Sequence, residues 1–541
     1  MHPAPRPQPG SPWADACARP RITIALSPRA AVVSPRRRLR RHAARDGDKS
    51  IGAATFSLAT APASLILTLS LLFGAAVVPP APAAFTPLED RPPPPASVGT
   101  GAIRFSASPQ PGVAAVQNAL VEAWAAARAD FVEAGAVSGP AWEAALQAAL
   151  GEAGAASDAA MAWGVVERLI ASLGDQYTRV LRPGSGDGYG GGSASLYASD
   201  LAGQATSLGL QLVAAGAGGN AAVVSVGAVI PGSPAEAAGV RPDDEVVAVN
   251  GRPAAATPPT DLARALAVDA DVQVRSGSGS VRTYHLTPAV VPLHAVQHAS
   301  LAGRDGRKRV AYLRLAAFND LTPDDVRASL AALALVPTQP SALIIDLRDN
   351  AGGAVAAAVN VAGQLLEGGG GSGSLLARVQ DGRGSEEAVA VPRPPRASRP
   401  PWPQAGRPPM ALLINGGTAS SSELLAGALA GGDTATVLTV GERSFGKGRT
   451  QRSVPLTGGG LLLISNRTFT TPAGVAVDGV GLTPAVKCVP DVATAGFFVS
   501  GGTEMAEGGD AVLADSLLSD PCVRLAAERL GVELREAVSV P

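Results

Sequence analysis

Two short segments in the second half of the chain carry the residues best suited to chemistry, and the first contains Ser420. This serine follows Asn-Gly-Gly-Thr-Ala and precedes a run of small and apolar residues typical of a helix. A serine at a helix amino terminus lies beside free backbone N–H groups and the positive end of the helix dipole, which favour a nucleophile and a developing oxyanion. The segment is equally typical of a helix cap, with Glu423 completing a capping box, so both interpretations stay open on this segment alone.

The second segment places Lys447 between Gly446 and Gly448. Among 44 basic residues the chain has only four lysines: Lys49, Lys308, Lys447 and Lys487. Arginine keeps its proton in proteins, whereas lysine becomes a base once burial lowers its pKa. Lowering a lysine pKa from ~10.4 to ~8 costs about 3 kcal/mol. A lysine between two glycines in a chain that mostly uses arginine therefore indicates a role that arginine cannot fill, such as a general base. A lysine retained by chance is the alternative.

Two known signatures overlap Lys447, and neither fits. Gly441-x-x-x-x-Gly446-Lys447 follows a phosphate-binding loop up to its last position, where Gly448 replaces the hydroxyl residue that would hold Mg²⁺. Ser444-x-x-Lys447 matches the penicillin-recognising signature, but that motif opens a helix, which the neighbouring glycines disfavour. The sequence therefore indicates neither a nucleoside triphosphatase nor a penicillin-recognising enzyme.

Histidine is the usual alternative base, and its distribution argues against that role here. Only His285, His294 and His298 lie outside the first 50 residues, and none is close in sequence to Ser420. His294 and His298 have the spacing of helical metal ligands, but Pro292 and an alternating pattern disfavour a helix. We expect surface histidines and no metal site or cofactor.

The elements that must position Ser420 and Lys447 fall into three parts. Residues 110–182 carry apolar side chains at three- and four-residue spacing, which predicts helices. Residues 200–290 contain short apolar runs typical of strands, and residues 305–490 alternate strands with helices. Within that last part, Ala342–Asp346 predicts a buried parallel strand. The predicted fold is a multidomain protein of α/β and α+β class.

The predicted boundaries follow these changes in pattern. They are a targeting segment at 1–83, a helical region at 84–198, a small β module at 199–290, an α/β core at 291–500 and a C-terminal tail region at 501–541. Residues 367–409 are rich in Gly, Arg and Pro with little periodicity, which predicts a surface insertion in the core.

Length and charge bound the class of protein. The 541 residues exceed one domain, because about 150 residues is a common domain size. After residue 83 the chain has 33 basic and 42 acidic residues, a net charge of −9. Nucleic-acid binding needs a basic face, so no nucleic-acid partner is expected.

The first 83 residues are typical of a two-step address. Residues 1–50 are rich in arginine, like a transit peptide, and Ala61–Val78 is an apolar run followed by Ala81-Pro82-Ala83, a small-x-small cleavage pattern. In a plastid this combination leads to the thylakoid lumen. Retention of the apolar run as a membrane anchor is the alternative. Cys488 and Cys522 would form a disulfide in an oxidising lumen, or remain two buried thiols.

Four separated blocks of sequence together resemble the carboxyl-terminal-processing, or tail-specific, serine proteases. The blocks are Ala311–Phe318, Asp346-Leu-Arg-Asp-Asn-Ala-Gly-Gly353, Gly417-Thr-Ala-Ser-x-Ser-Glu423 and Gly441-Glu-x-x-Phe-Gly-Lys-Gly-x-x-Gln451. They occur in the family's order, and the resemblance extends over about residues 110–490. It implies an α/β protease core.

The resemblance also implies residue roles. Ser420 would be the nucleophile, Lys447 the general base, and Gln451 a neighbour that orients the lysine. The backbone N–H of Ser421 and that of Gly352 or Gly353 would form the oxyanion hole. Ser421 stands where the family more often has alanine.

Residues 199–290 resemble a PDZ domain. Ser207-Leu208-Gly209-Leu210 fits its carboxylate-binding loop, and the run from Gly232 to Gly251 fits its later half. Such a loop directs backbone N–H groups at a terminal carboxylate while the peptide adds as an extra strand. These four residues are therefore the predicted peptide-binding loop.

The predicted function is a luminal serine endopeptidase that removes C-terminal extensions. Its partners would be protein C-terminal tails, and the resemblance with a plastid address implies the precursor of the photosystem II reaction-centre core protein, with the thylakoid membrane surface as a further contact. A general tail-specific quality-control protease is one alternative. An inactive PDZ scaffold is another, against which intact Ser420 and Lys447 argue.

Overall fold

A computed structural model describes residues 21–24, 103–183, 200–215, 223–366, 375–391, 408–431, 437–489 and 516–536. Apart from 21–24, the predicted targeting segment lies outside the described residues. The chain divides into a small unit, Thr23–Thr86 with Ser97–Arg104, and a large unit that contains everything from Phe105 onward. The short strands β1 (Arg21–Ile24) and β2 (Ile103–Ser106) are the first described elements of the chain, and only residues 23–24 and 103–104 of them belong to the small unit. No helix in the described ranges is both long enough and apolar enough to cross a membrane.

The helical region consists of α1 (Pro111–Asp130), α2 (Pro140–Gly154) and α3 (Ala159–Ala171), followed by strand β3 (Arg179–Leu181). Proline begins α1 and α2, where its missing N–H has no helical acceptor to lose. The side chain of Asp158 caps α3 by accepting the N–H of Met161. The indole N–H of Trp124 donates to the carbonyl of Trp142 at 2.8 Å and joins the first two helices.

The module at 199–290 is a small sheet with two short helices. Its elements are β4 (Gln204–Ser207), β5 (Leu210–Ala215), β6 (Val223–Val229), α4 (Pro234–Ala238), β7 (Glu245–Val249), β8 (Arg252–Pro253), α5 (Pro259–Ala265), β9 (Ala270–Arg275), β10 (Val281–Leu286) and β11 (Ala289–Pro292). The strand order is β10-β9-β7-β6-β5, with β8 on β7, so β5 lies at an edge. Strands β4 and β11 pair with each other where the chain enters and leaves the module.

The core contains the remaining elements. They are β12 (Val296–Ala302), β13 (Arg309–Leu315), α6 (Thr322–Ala334), β14 (Ala342–Asp346), α7 (Val355–Leu366), β15 (Leu375–Asp381), β16 (Glu386–Ala390), β17 (Met410–Ile414), α8 (Ser421–Ala430), β18 (Val437–Gly441), β19 (Arg449–Pro455), β20 (Leu461–Thr470), β21 (Val486–Lys487) and α9 (Pro521–Arg529).

Two sheets organise the core. The first has the order β12-β13-β14-β17-β18-β21, and its strands from β13 onward are parallel. One face packs on α6, α7 and α8, and the other packs on α9, so the central strands are buried on both faces. The second sheet, β16-β15-β20-β19, is antiparallel and accepts β3 from the helical region beside β20.

Two parts of the structure differ from the sequence expectation in detail, and a third decides between two alternatives. The predicted insertion at 367–409 contains the hairpin β15–β16, and β15 pairs with β20 as part of the second sheet. The predicted tail region at 501–541 contains α9, which packs on β14, β17 and β18. Cys522 at the start of α9 forms a disulfide with Cys488, the residue after β21. This settles the alternatives left open for the two cysteines.

The expectation of surface histidines is wrong for two of the three. His294 and His298 are half-buried, because β12 lies across α6. His294 Nδ1 lies 2.9 Å from the carboxylate of Asp325, and His298 Nδ1 lies 3.1 Å from the hydroxyl of Ser329. His285 is exposed, with 70% of its side chain accessible. No group of His, Cys, Asp and Glu in the described ranges is arranged to hold a metal ion.

Candidate active site

Three loops meet at one edge of the parallel sheet. They follow β14, β17 and β18 and cover residues 347–354, 415–419 and 442–448. These three strands are neighbours and run in the same direction, so their carboxyl ends, and the loops that continue them, lie side by side. In open α/β sheets this edge is where binding and catalytic residues gather.

Ser420 lies between β17 and α8 with φ 56° and ψ −118°. A residue with a side chain rarely adopts this conformation, which costs of order 1–3 kcal/mol. The turn before Ser420 is held by Thr418, whose hydroxyl donates to the carbonyl of Leu347 at 2.8 Å and accepts the N–H of Asn415 at 3.0 Å. The serine is therefore fixed in a strained position at the start of a helix.

The loop after β14 is bonded to the loop that carries Ser420. Asn415 accepts the backbone N–H of Asp349 at 2.9 Å and donates to its carboxylate at 2.8 Å. The carbonyl of Asn350 accepts both the N–H of Ala419 and the hydroxyl of Ser422, each at 2.9 Å. These bonds make one rigid unit of the two loops.

Gly352 lies directly against the nucleophile. A Cβ at this position would be 2.9 Å from Ser420 Cβ and 3.1 Å from Ser421 N, so no side chain fits, and its φ of 101° also favours glycine. The N–H of Gly352 donates to Asn350 Oδ1 at 2.9 Å. Within the described part of the chain, the N–H groups of Gly353 and Ser421 have no such acceptor. The geometry therefore favours Gly353 over Gly352 as the partner of Ser421.

Glu423 joins Ser420 to residues 442–448, the lysine loop. Its buried carboxylate accepts the backbone N–H of Ser420 at 2.9 Å, of Gly446 at 2.7 Å and of Lys447 at 2.8 Å, and the hydroxyl of Ser444 at 2.5 Å. The N–H groups of Ser420 and Lys447 bind the same oxygen, so their nitrogens are no farther apart than the sum of those two distances. Burial raises the pKa of the Glu423 carboxyl above its ordinary value.

The amine of Lys447 is in contact with Gln451. Nζ donates to Gln451 Oε1 at 2.7 Å, and Gln451 Nε2 donates to the carbonyl of Tyr177 at 2.7 Å. Burial, followed by the charge of Arg179, lowers the pKa of Lys447 to about 8. Among the described residues no hydrogen bond joins Nζ to the hydroxyl of Ser420. The structure thus holds the amine against Gln451, on the loop next to that of Ser420.

A buried ionic cluster lies behind residues 349–354, the proposed oxyanion loop. The carboxylate of Asp346 accepts hydrogen bonds from Arg348 at 2.6 Å and from the hydroxyl of Tyr312 at 2.7 Å, and it lies 3.7 Å from Arg314. Arg348 also pairs with Asp520, which caps α9, at 2.8 Å. Burial would raise the pKa of Asp346, but Arg348 and Arg314 hold it below its ordinary value. The last helix is thus tied to the residue just before the oxyanion loop.

The predicted peptide-binding loop joins β4 to the edge strand β5. Ser207 ends β4, Leu208 is buried in the module core, and Leu210 begins β5. Gly209 has a φ of 84°, and its N–H donates to the hydroxyl of Ser207 at 3.0 Å. The apolar core of the module is flanked by half-buried side chains, which are those of Leu210 and Leu212 on β5 and of Ala265 and Leu266 at the end of α5. The loop therefore adjoins an open strand edge with an apolar flank.

Sequence reasoning missed several residues that support the site. Glu423 was expected to cap the helix or shape the site, but its bonds to the lysine loop were not foreseen. The Asn415–Asp349 pair, Asp520 and Tyr177 were not identified. The one local signal that pointed to Glu423 was its position three residues after Ser420, which is the spacing of a capping box. The other contacts join positions far apart in the chain and leave no local pattern.

Comparison with known proteins agrees with this architecture. Residues 309–488 match Peptidase family S41, and residues 225–275 match a PDZ domain. Over 347 residues the chain is 31% identical to the chloroplastic C-terminal processing peptidase of Tetradesmus obliquus, covering 62% of this chain and 69% of the relative. Over 440 residues it is 28% identical to carboxyl-terminal-processing peptidase 3, chloroplastic, of Arabidopsis thaliana, covering 79% and 78%. The solved structure of a photosystem II D1 C-terminal processing protease aligns with 28% identity and a TM-score of 0.42, covering 74% of this chain and 97% of that one.

The α/β core and the attached PDZ domain define a serine-type peptidase of the carboxyl-terminal-processing class. The chain belongs to peptidase family S41. The family predicted from the motifs, the mixed α/β fold class and the enzyme class are confirmed. The roles of individual site residues stay predictions.

Proposed function

We propose that this peptidase cleaves C-terminal extensions with Ser420 as nucleophile and Lys447 as general base. The observation that carries the proposal is the single buried carboxylate of Glu423, which binds the backbone of both residues. A lysine with a pKa of about 8 is neutral in about half of the molecules at pH 8 and in about one tenth at pH 7. The neutral amine is the form that a general base requires.

The proposed reaction moves one proton twice. The Ser420 hydroxyl attacks the scissile carbonyl while the Lys447 amine, turned from Gln451, takes its proton. The N–H groups of Ser421 and Gly353 bind the oxyanion, which the amino end of α8 also favours. The ammonium then protonates the leaving amine, the peptide C–N bond breaks and an acyl ester remains on Ser420. A water molecule hydrolyses that ester with the same lysine as base.

The PDZ domain is the proposed reader of the substrate tail. A peptide could pair with the edge strand β5 and place an apolar side chain against Leu210 and Leu212. Its terminal carboxylate would take the N–H of Gly209, which the hydroxyl of Ser207 now occupies.

The proposed substrate is the precursor of the photosystem II reaction-centre core protein in the thylakoid lumen. The family resemblance, the leader sequence and the chloroplastic relatives support this assignment. A general quality-control role is the competing outcome, and it predicts equal cleavage of unrelated proteins with apolar tails.

The test is cleavage of two substrates by the purified protein. One is a peptide with the C-terminal extension of the reaction-centre precursor, and the other is an unrelated peptide with an equally apolar tail. We expect Ser420→Ala and Lys447→Ala each to abolish cleavage, and Lys487→Ala, which removes an exposed lysine of the core, to retain it. Turnover by Lys447→Ala would overturn the dyad. Equal rates on both peptides would overturn the substrate assignment alone.

A further inference from the structure

A turn from the helical region reaches the lysine of the protease core. Asp175 fixes this turn by accepting the N–H of Tyr177 at 3.3 Å, and the N–H and hydroxyl of Thr178 at 3.1 and 2.5 Å. Thr178 accepts the N–H of Ser465 on β20 at 3.0 Å, and Arg449 on β19 lies 3.5 Å from Asp175. The turn is therefore rigid and anchored to the core sheet.

Tyr177 contacts both polar groups on the base side of the site. Its carbonyl accepts Gln451 Nε2 at 2.7 Å, which leaves Gln451 Oε1 facing Lys447. The centre of its ring lies 5.1 Å from Lys447 Nζ, within the range of a cation–π contact. Burial raises the pKa of the Tyr177 phenol, so the ring is neutral.

The ring of Tyr177 acts on both states of the lysine. It excludes water from one side of the amine, which favours the neutral base. Once the amine has taken a proton, the ring face attracts the ammonium, but this attraction is weaker than the hydration that the ring displaces, so its net effect favours the neutral amine. The fixed Gln451 carbonyl keeps the amine near the loop of Ser420 between these states.

We propose that Tyr177 is a positioning residue for Lys447, whose ring shields the amine from water and whose carbonyl fixes Gln451 against it. This inference rests on the proposed role of Lys447 as the base. Three charged groups also act on the amine: Arg179 disfavours the ammonium, while Asp175 and Glu423 favour it. Substitution of the Tyr177 side chain leaves all three in place.

The test is the pH profile of kcat/KM for the full chain, Tyr177→Leu and Tyr177→Phe. Leucine keeps an apolar side chain and the carbonyl but removes the ring. We expect its acid limb to move to higher pH by about one unit, so that kcat/KM at pH 7 falls about tenfold while the rate above pH 9 changes less than about threefold. Tyr177→Phe keeps the ring and removes only the hydroxyl, and we expect its acid limb to lie near that of the unmodified chain.

A structural role alone would lower the rate at every pH and leave the limb in place. An acid limb that stays fixed or moves to lower pH in Tyr177→Leu would overturn the positioning role. Thermal melting checks that each variant is folded, and Tyr177→Met replaces the leucine variant if that one is not. Lys447→Ala in the same series separates the two proposals. Turnover by that variant removes the dyad, whereas an inactive Lys447→Ala with an unmoved Tyr177→Leu limb removes only the role of Tyr177.

Discussion

The edge strand β5 of the PDZ domain and the loop that carries Ser420 are both available to a peptide, but they are supported differently. Strand β5 is backed by an apolar cluster, and on its outer side it pairs with none of the strands that the structure describes. The Ser420 loop is backed by buried charges and hydrogen bonds from Asn350, Asn415 and Glu423. Recognition of an extended chain tolerates small shifts along an edge, whereas bond cleavage needs atoms held at fixed distances. Buried polar contacts supply the second requirement because they are directional.

Substitution of Glu423, which supports the Ser420 loop, should have the largest effect on stability and on cleavage. Glu423→Ala leaves three N–H groups and one hydroxyl without their buried acceptor. We expect a loss of about 4 kcal/mol in the free energy of unfolding and a fall in kcat/KM of more than about 10³-fold. Denaturant titration and peptide cleavage measure the two. Glu442→Ala removes a half-buried carboxylate from the loop that Glu423 binds and is the control, and equal effects of both substitutions would contradict the central role of Glu423.

The pH dependence of cleavage should follow the lysine. Because the pKa of Lys447 is lowered to about 8 and the neutral amine is the active form, activity rises with pH and levels above that value. Below pH 8 we expect kcat/KM to fall about tenfold per pH unit, or about 100-fold by pH 6. Rates at constant ionic strength check this. Lys487→Ala should show the same limb, and a profile that is flat down to pH 6 would exclude lysine as the base.

A substitution on the edge strand β5 of the PDZ domain should change KM more than kcat. Leu212→Glu puts a charge on the apolar flank of β5, and we expect KM for a tailed peptide to rise about tenfold with kcat nearly constant. Val268→Glu, at a position 59% exposed in the same domain, is the control. A fall in kcat with an unchanged KM would mean that this edge acts on the site itself.

The smallest effect should come from the backbone strain at Ser420. Both Ser420→Ala and Ser420→Gly remove the nucleophile, but only glycine relieves the positive φ. We expect the glycine variant to be more stable than the alanine variant by about 1 kcal/mol, or about 2 °C in Tm. Calorimetry measures the difference. Equal melting temperatures would show that the conformation at Ser420 carries no cost.

The sequence predicted elements whose pattern is local. Strand β14 was predicted at Ala342–Asp346, as found. The bias against lysine singled out Lys447, and the glycines around it marked a loop. In contrast, the hairpin at 375–390 was read as an irregular insertion, because its strands gain their stability by pairing with β20 rather than from their own composition.

The site could be predicted only as a set of residues, not as an arrangement. Tyr177 lies 270 positions before Lys447, and no spacing rule connects a turn in a helical region with an amine in another domain. The choice between Gly352 and Gly353 likewise depends on which N–H the side chain of Asn350 engages. Such choices follow from packing, which a single sequence does not display.

Asp520 makes the support of the oxyanion loop depend on the far end of the chain. The residue that pairs with Arg348 lies 172 positions later in the sequence, and the Cys488–Cys522 bond joins its helix to the end of β21. A chain cut before Asp520 would keep Ser420 and Lys447 but lose the carboxylate that pairs with Arg348. Removal of this last segment is therefore expected to weaken the loop after β14 without touching either proposed catalytic side chain.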